Sequence, residues 1–310
     1  MSRNYGLRSR DMSLAGKNAL RDAARKSDMS FSTAATVAER WRQFTDYARE
    51  RGINKMEKID RHLAIEYGRE LAGAVRSGDM SASRAQTIVS AINTVMGLAT
   101  RWESVGPVQD CGIPQRSAIR DTPPADRDSY QRAVDALRSA GNERGASIAE
   151  LCREFGLRSK EASLLDARAA LQQAREHGHI HIDHGAKGGR EREIELSHAE
   201  RQIAVLERAA AAQADGRSLI PADRNWYQWQ QGELRSIRDL VHQHTGEGLH
   251  GLRAAYACER YEDLTGTPAP VMGDGVTCDR EIDRQARETI ADELGHGRID
   301  VTAEYLGGRR

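Results

Sequence analysis

HGLRAAYACERYEDL, residues 250–264, predicts a helix that carries two chemically versatile side chains near its start. His250 and Arg253 stand three positions apart, so one helical face presents both. The same H-x-x-R spacing also occurs at His198 and Arg201, at the start of a charged helical segment. With this many histidines and arginines the spacing alone identifies no site. Its meaning therefore depends on what the rest of the chain offers.

Four further residues, in a fixed order along the chain, suit one reaction. Arg158 lies in FGLRSKEASLLDA and Lys187 in a GAKGG turn, while His296 and Tyr305 share ELGHGRIDVTAEYL. Two arginine forks can hold the oxygens of a phosphodiester, and a tyrosine hydroxyl can attack its phosphorus. A turn lysine can protonate the departing 5′ oxygen, and histidines can accept the nucleophile's proton or bind the phosphate. The set predicts phosphoryl transfer without a metal.

The three quoted segments resemble the first arginine box, the H-x-L-R box and the nucleophile box of the tyrosine recombinases, the phage-integrase family. The resemblance covers most of residues 130–310 and implies a mainly α fold with a small antiparallel β-sheet. It implies an active site made of a nucleophile and the groups that serve it, Arg158, Lys187, His250, Arg253, His296 and Tyr305. It further implies an N-terminal helical core-binding domain that closes a C-shaped clamp on duplex DNA with the catalytic domain. The interval between Arg253 and His296 is long for the family, and only LGGRR follows Tyr305.

The implied function is a site-specific DNA recombinase or integrase that works through a 3′-phosphotyrosine and integrates or excises a mobile element. No cofactor or metal is expected. The expected partners are double-stranded DNA and three further copies in a homotetramer on paired sites, with accessory DNA-bending or directionality proteins. Two other functions stay open: a non-catalytic DNA-binding regulator on the same scaffold, and a tyrosine topoisomerase.

Periodicity divides the chain into a helical domain at 1–107, a linker at 108–128 and a catalytic domain at 129–310. In the first, Ser32 is expected to cap a helix that carries Trp41 and ends at Gly52; two more helices run through Leu63 and through Ile92. Glycines and prolines interrupt the linker. In the third, helical patterns cover 129–141, 147–176, 198–212, 226–244, 250–264 and 280–294, and HIHID with REIEL predicts a β-hairpin.

Composition and charge set outer limits on the function. Acidic and basic residues balance at 46 each, but only six of the basic residues are lysine. The arginine excess suits phosphate contacts, although a GC-rich genome would produce it as well. Up to Pro107 the chain has 18 basic and 12 acidic residues, which favours this part for holding nucleic acid. Four scattered cysteines and the lack of a signal peptide or membrane-length apolar run predict a cytoplasmic, nucleoid-associated and bacterial protein.

Several residues invite other interpretations. SIAELCREFGLRSKEASLL could form a helix-turn-helix, in which Arg158 would contact a DNA groove. The histidines at 177, 179, 181 and 184 could bind a metal, but strand alternation predicts that His179 and His181 face glutamates of the partner strand. Aromatic residues at 226, 227 and 229 could stack on bases, although their helical spacing favours the core. Tyr256 and Tyr261 could be rival nucleophiles, but their positions within a helix favour packing.

Overall fold

The computed structural model describes residues 3–185, 190–273 and 278–309, and divides the chain into two compact units. The boundary lies between Ser117 and Ala118, inside the segment that the sequence predicts as a linker. Lys187 lies outside the described residues. Within the described ranges, no helix is both long enough and apolar enough to cross a bilayer.

The N-terminal unit is a bundle of four α-helices in its described part. They are α1 (Met12–Arg25), α2 (Phe31–Glu50), α3 (Arg61–Arg76) and α4 (Ala82–Ala99). Its core gathers the apolar faces of all four around Trp41 and Phe44. The N-cap of α2 is Ser30, not Ser32 as the sequence predicts. The Ser30 side chain accepts a hydrogen bond from the backbone amide of Thr33. The apolar pattern begins after either serine, so it could not separate the two.

Helix α1 was not predicted because its buried face consists largely of small residues. Ala15, Gly16 and Ala19 are buried, and they give little hydrophobic contrast in a sequence pattern. The small residues have a packing reason: a Cβ on Gly16 would lie 2.2 Å from Nε1 of Trp41. The same Nε1 donates a hydrogen bond to the carbonyl of Met12 at 2.9 Å. The tight approach of α1 to α2 thus depends on a missing side chain.

The second unit is mainly helical with a small sheet, as the sequence predicts. Its helices are α5 (Arg127–Ser139), α6 (Glu143–Glu154), α7 (Ser159–Leu164), α8 (Ala167–His177), α9 (Ala199–Gln213), α10 (Trp226–Gln231), α11 (Glu233–Thr245), α12 (Leu249–Thr265), α13 (Arg280–Glu293) and α14 (Ala303–Leu306). The single helical pattern at 147–176 proves to be three helices, α6 to α8. Gly156, at φ +61°, separates α6 from α7, and Asp166 is the N-cap of α8.

The predicted hairpin is confirmed. Strands β1 (His179–Ile182) and β2 (Arg192–Glu195) pair antiparallel, with His179 opposite Glu195 and His181 opposite Glu193. The two isoleucines of β1 are buried and the two histidines are half-buried, which is the alternation expected of a strand with one face on the core.

Two apolar clusters fill the second unit, and α12 contributes to both. Leu252 belongs to the larger cluster, built from α5 to α11 and the hairpin, whereas Ala254 and Tyr256 belong to the smaller one with α13 and α14. Arg253 stands between them in the sequence and is fully buried. A charged side chain at this seam needs polar partners, and those partners define the candidate site.

Candidate active site

Arg253 is surrounded by four residues that offer hydrogen-bond acceptors, from three separate parts of the second unit. Its Nη1 donates to the carbonyl of Gly156, and its Nη2 donates to the carbonyl of Leu294 at 2.5 Å. Its Nε lies 3.4 Å from Oη of Tyr305, and its Nη2 lies 3.3 Å from Nε2 of His296. Burial lowers the pKa of this guanidinium, but an arginine stays charged in proteins. The permanent positive charge is thus fixed at the centre of the site.

Arg158 reaches the site from the turn between α6 and α7. Phe155 and Leu157 are fully buried and anchor the turn on either side of Gly156. Arg158 then caps α7: its amide donates to Glu161 Oε2 at 2.8 Å and its Nη1 to Oε1 at 2.7 Å. Its side chain keeps 21% of its surface exposed, so it remains open to a ligand.

Glu161 joins three arginines through one buried carboxylate. Besides Arg158, it accepts two hydrogen bonds from Arg192 of β2 at 2.8 and 3.1 Å, and Arg253 lies 3.8 Å away. Burial raises the pKa of Glu161, but the hydrogen bonds and charge of Arg192 and the amide of Arg158 outweigh it. The net result is a pKa below the usual range. One negative charge against three positive ones leaves a cationic cluster suited to an anion.

His296 and Tyr305 meet at the other side of Arg253. Helix α13 ends at Leu294, and Gly295, at φ +63°, turns the chain so that the His296 amide bonds the carbonyl of Ala291 at 2.7 Å. This turn brings Nε2 of His296 to 3.1 Å from Oη of Tyr305. The tyrosine side chain is buried, with 2% of its surface exposed. A hydroxyl, a proton acceptor and a cation therefore share one small volume.

His250 lies one turn before Arg253 on α12 and borders the same tyrosine. Its ring centroid is 5.5 Å from that of Tyr305. The residue is exposed, but surrounding protein removes part of its water, and this desolvation lowers the pKa of its imidazole. The positive charges of Arg253, Arg120 and Arg158 lower it further, while Glu247 opposes them. A neutral imidazole next to a cationic cluster can gain a proton when a phosphate arrives.

The structure thus brings together five of the six residues singled out from the sequence: Arg158, His250, Arg253, His296 and Tyr305. Sequence reasoning missed Glu161 and Arg192. Glu161 stands three positions after Arg158 in the quoted segment, so the capping pattern was a usable signal. Arg192 gave no such sequence signal, because a strand arginine next to charged neighbours resembles an ordinary surface residue.

The other interpretations of single residues fare differently. Tyr256 and Tyr261 are buried and donate hydrogen bonds to Glu293 at 2.9 Å and Asp283 at 2.7 Å, so they pack rather than face the site. Trp229 is buried as expected, but Tyr227 is 70% exposed, so the core prediction is wrong for it.

The structure offers little for a helix-turn-helix or a metal site in this region. Helix α7 has six residues, of which Glu161, Ala162 and Ser163 are buried, so it offers no recognition helix. The described His, Cys, Asp and Glu residues form no group of three or more that could hold a metal ion. His179 and His181 instead lie 3.9 Å and 3.6 Å from glutamates of the hairpin.

One family model and several solved structures are similar to this chain. Residues 119–259 match a family model described as Integrase. The fold resembles the XerH site-specific recombinase bound to palindromic difH substrate, with TM-score 0.59 and 15% identity over 96% of this chain and 81% of that one. It also resembles a lambda integrase dimer bound to a COC′ core site, with TM-score 0.58 and 16% identity over 94% and 96% of the two chains. For the Tn1549 transposon integrase in complex with transposon right end DNA, the TM-score is 0.57 and the identity 10%, over 95% of each chain. No curated protein sequence matches this chain.

Proposed function

We propose that this chain is a tyrosine recombinase that acts site-specifically on duplex DNA; its match to the integrase family model over residues 119–259 supports the proposal. One observation carries the proposal: Oη of Tyr305 lies within hydrogen-bond range of both His296 Nε2 and Arg253 Nε, at 3.1 and 3.4 Å. A buried tyrosine held between a proton acceptor and a fixed cation has the surroundings that a nucleophile needs.

The proposed reaction uses these residues together with Lys187, which lies outside the described residues. Oη attacks the scissile phosphorus, the bond from phosphorus to the 5′ oxygen breaks, and a 3′-phosphotyrosine forms. The tyrosine proton passes to His296, and the 5′ oxygen takes a proton from Lys187. Arg158 and Arg253 stabilise the charge that develops on the non-bridging oxygens, and His250 donates a hydrogen bond to them. Attack by a 5′ hydroxyl of another strand reverses the steps and rejoins the DNA.

The phosphate and the nucleophile compete for the same arginine. In the free protein, Nε of Arg253 donates a hydrogen bond to Tyr305, and Nη2 also contacts His296. A phosphate that binds Arg253 takes over these donors and releases the hydroxyl toward phosphorus. In the free protein the tyrosine hydroxyl thus lies next to the guanidinium that is proposed to bind the phosphate.

The proposed partners follow from the reaction and from the structural relatives. Strand exchange between two DNA sites needs four nucleophiles, so we propose a homotetramer on paired duplex sites in which two protomers cut at a time. The relatives named above are described as bound to DNA, which supports duplex DNA as the partner. One of them is a transposon integrase, which supports integration or excision of a mobile element as the setting, with accessory DNA-bending proteins.

The test is covalent capture of DNA. A nicked suicide duplex, incubated without metal or ATP, is expected to give a denaturant-resistant protein–DNA band with the unaltered chain. Tyr305→Phe should bind the duplex with unchanged affinity and give no band. Tyr227→Phe is the matched control, since Tyr227 is 70% exposed, and should give the band as before.

Each other outcome points elsewhere. A band that persists in Tyr305→Phe removes Tyr305 from the mechanism. DNA binding without a band from the unaltered chain indicates a non-catalytic regulator. Relaxation of supercoiled plasmid without recombinant product indicates a topoisomerase.

A further inference from the structure

We infer that Arg120 is a positioning residue that fixes the nucleophile helix α14 relative to the first turn of α12, and this inference rests on Tyr305 being the nucleophile. Arg120 stands just after the boundary between the two units. Its backbone amide donates to the carbonyl of Ala303, the first residue of α14, at 2.9 Å. Its Nη2 donates to both carboxylate oxygens of Glu247 at 2.6 Å each. Arg120 therefore contacts both α14 and Glu247, the residue just before the N-cap of α12.

Helix α14 needs such support because it has only four residues. So short a helix has almost no stability of its own, so its position is set by what contacts it. Besides Arg120, the amide of Val271 donates to the carbonyl of Leu306 at 2.9 Å, and Cys258 Sγ donates to that of Tyr305 at 3.5 Å. The backbone amide of Arg120 contacts the N-terminal end of α14, and its side chain contacts Glu247 next to the start of α12.

Glu247 is placed to pass this contact to the catalytic face of α12. It immediately precedes the N-cap Gly248. Its carboxylate folds over the first turn, where a Cβ on Gly251 would lie 2.4 Å from its Oε2. A side chain at position 251 would displace the carboxylate. His250 and Arg253 lie in this same part of α12. The ion pair between Arg120 and Glu247 therefore helps to fix the positions of both side chains.

Nε and Nη2 of Arg120 both donate to protein acceptors. Besides the two bonds to Glu247, its Nε donates to the carbonyl of Thr122 at 2.7 Å, and only 12% of its side chain is exposed. Its loss is therefore expected to misplace the nucleophile rather than to remove a phosphate contact. A shift of about 1 Å at reacting atoms can cost on the order of 100-fold in rate.

Arg120→Gln in the full chain tests this role. We expect single-turnover cleavage to fall about 10- to 100-fold, with the dissociation constant for the duplex unchanged. Hydrogen exchange of the amides at 303–307 should become faster. Arg132→Gln makes the same chemical change at an exposed position of α5. It should leave the cleavage rate, the dissociation constant and the hydrogen exchange unchanged.

Two further variants separate positioning from general damage. Both bonds to Glu247 come from a single nitrogen, so a lysine ammonium can replace them, and Arg120→Lys should recover most of the rate. Glu247→Gln should reproduce the Arg120→Gln defect, and the double variant should be no slower than either single one. These two variants also decide the question if Arg120→Gln does not fold.

Several results would overturn the inference. If affinity falls while the cleavage rate of bound complexes stays normal, Arg120 contacts phosphate. If the defects of Arg120→Gln and Glu247→Gln multiply in the double variant, the two residues act separately. If the unaltered chain forms no covalent complex, the proposed function fails; the exchange measurement then still decides whether Arg120 holds α14, since it needs no activity.

Discussion

Glu161 shows how much of the site depends on one residue that takes no part in the chemistry. Its side chain is fully buried, and it accepts hydrogen bonds from Arg158 and Arg192 next to Arg253. Removing the charge leaves buried guanidiniums without their counter-ion, which is the costly way to disrupt a buried ion pair. The carboxylate therefore sets both the stability of the domain and the geometry of the arginines.

We predict that Glu161→Gln lowers the free energy of unfolding by about 3 kcal/mol, measured by urea denaturation. Glu288→Gln is the control: its pair with Arg284 is half exposed, so the change should cost under about 1 kcal/mol. Equal losses of unfolding free energy in the two variants would show that the buried cluster stabilises the fold no more than the exposed pair does.

The pH dependence of the Glu161 effect has a definite sign. The pKa of Glu161 is lower in the folded chain than its ordinary value of 4.5, so its ionised form stabilises the fold above that pH. The contribution is lost as the pH falls below about 4.5 and through the folded-state pKa. The stability difference between the unaltered chain and Glu161→Gln should therefore shrink in acid. A gap that widens in acid would contradict the assigned direction.

At the scale of elements, sequence reasoning succeeded where one periodicity matched one element. The hairpin alternates with period two over isoleucine and histidine, and this alternation correctly predicted that His179 and His181 lie opposite glutamates of the partner strand. Helix α12 was also predictable, since its apolar pattern is continuous. Reasoning failed at 147–176, where apolar residues continue through the turns between α6, α7 and α8. A breaker glycine there was visible, but whether it bends a helix or ends it depends on tertiary contacts.

Gly156 supplies the element-scale prediction. It has φ +61°, and a Cβ there would lie 2.4 Å from Cδ1 of Tyr256. Gly246 is the matched control, because it has φ +70° with no atom within 4 Å of its Cβ position. Gly246→Ala should cost only the left-handed strain, about 1 kcal/mol. Gly156→Ala should lower the free energy of unfolding, measured by urea denaturation, by at least about 2 kcal/mol more than Gly246→Ala does. The shift of the Gly156 carbonyl should also disturb its hydrogen bond from Arg253. Equal costs would mean that the turn has room to adjust.

At the scale of the molecule, the site could be assembled from sequence only in part. The order of Arg158, His250, Arg253, His296 and Tyr305 carried the resemblance, because each of these side chains belongs to a recognisable reaction. Glu161, Arg192 and Arg120 have no chemical step of their own. Their importance comes from which carbonyls and carboxylates they meet after folding, and a linear pattern does not contain that information.

The two units differ in charge in a way that predicts how DNA is held. Residues 1–117 contain 19 basic and 13 acidic side chains, whereas residues 118–310 contain 27 basic and 33 acidic ones. The second unit, which contains Tyr305, is therefore net negative as a whole, and DNA is a polyanion. If the N-terminal unit supplies most phosphate contacts, a fragment of residues 118–310 should bind duplex DNA at least about 100-fold more weakly, with a shallower dependence of log affinity on log salt. Fluorescence anisotropy over a salt series measures both quantities, and far-UV circular dichroism checks that the fragment is folded. A folded fragment with the full chain's affinity and salt slope would place the phosphate contacts on the second unit instead.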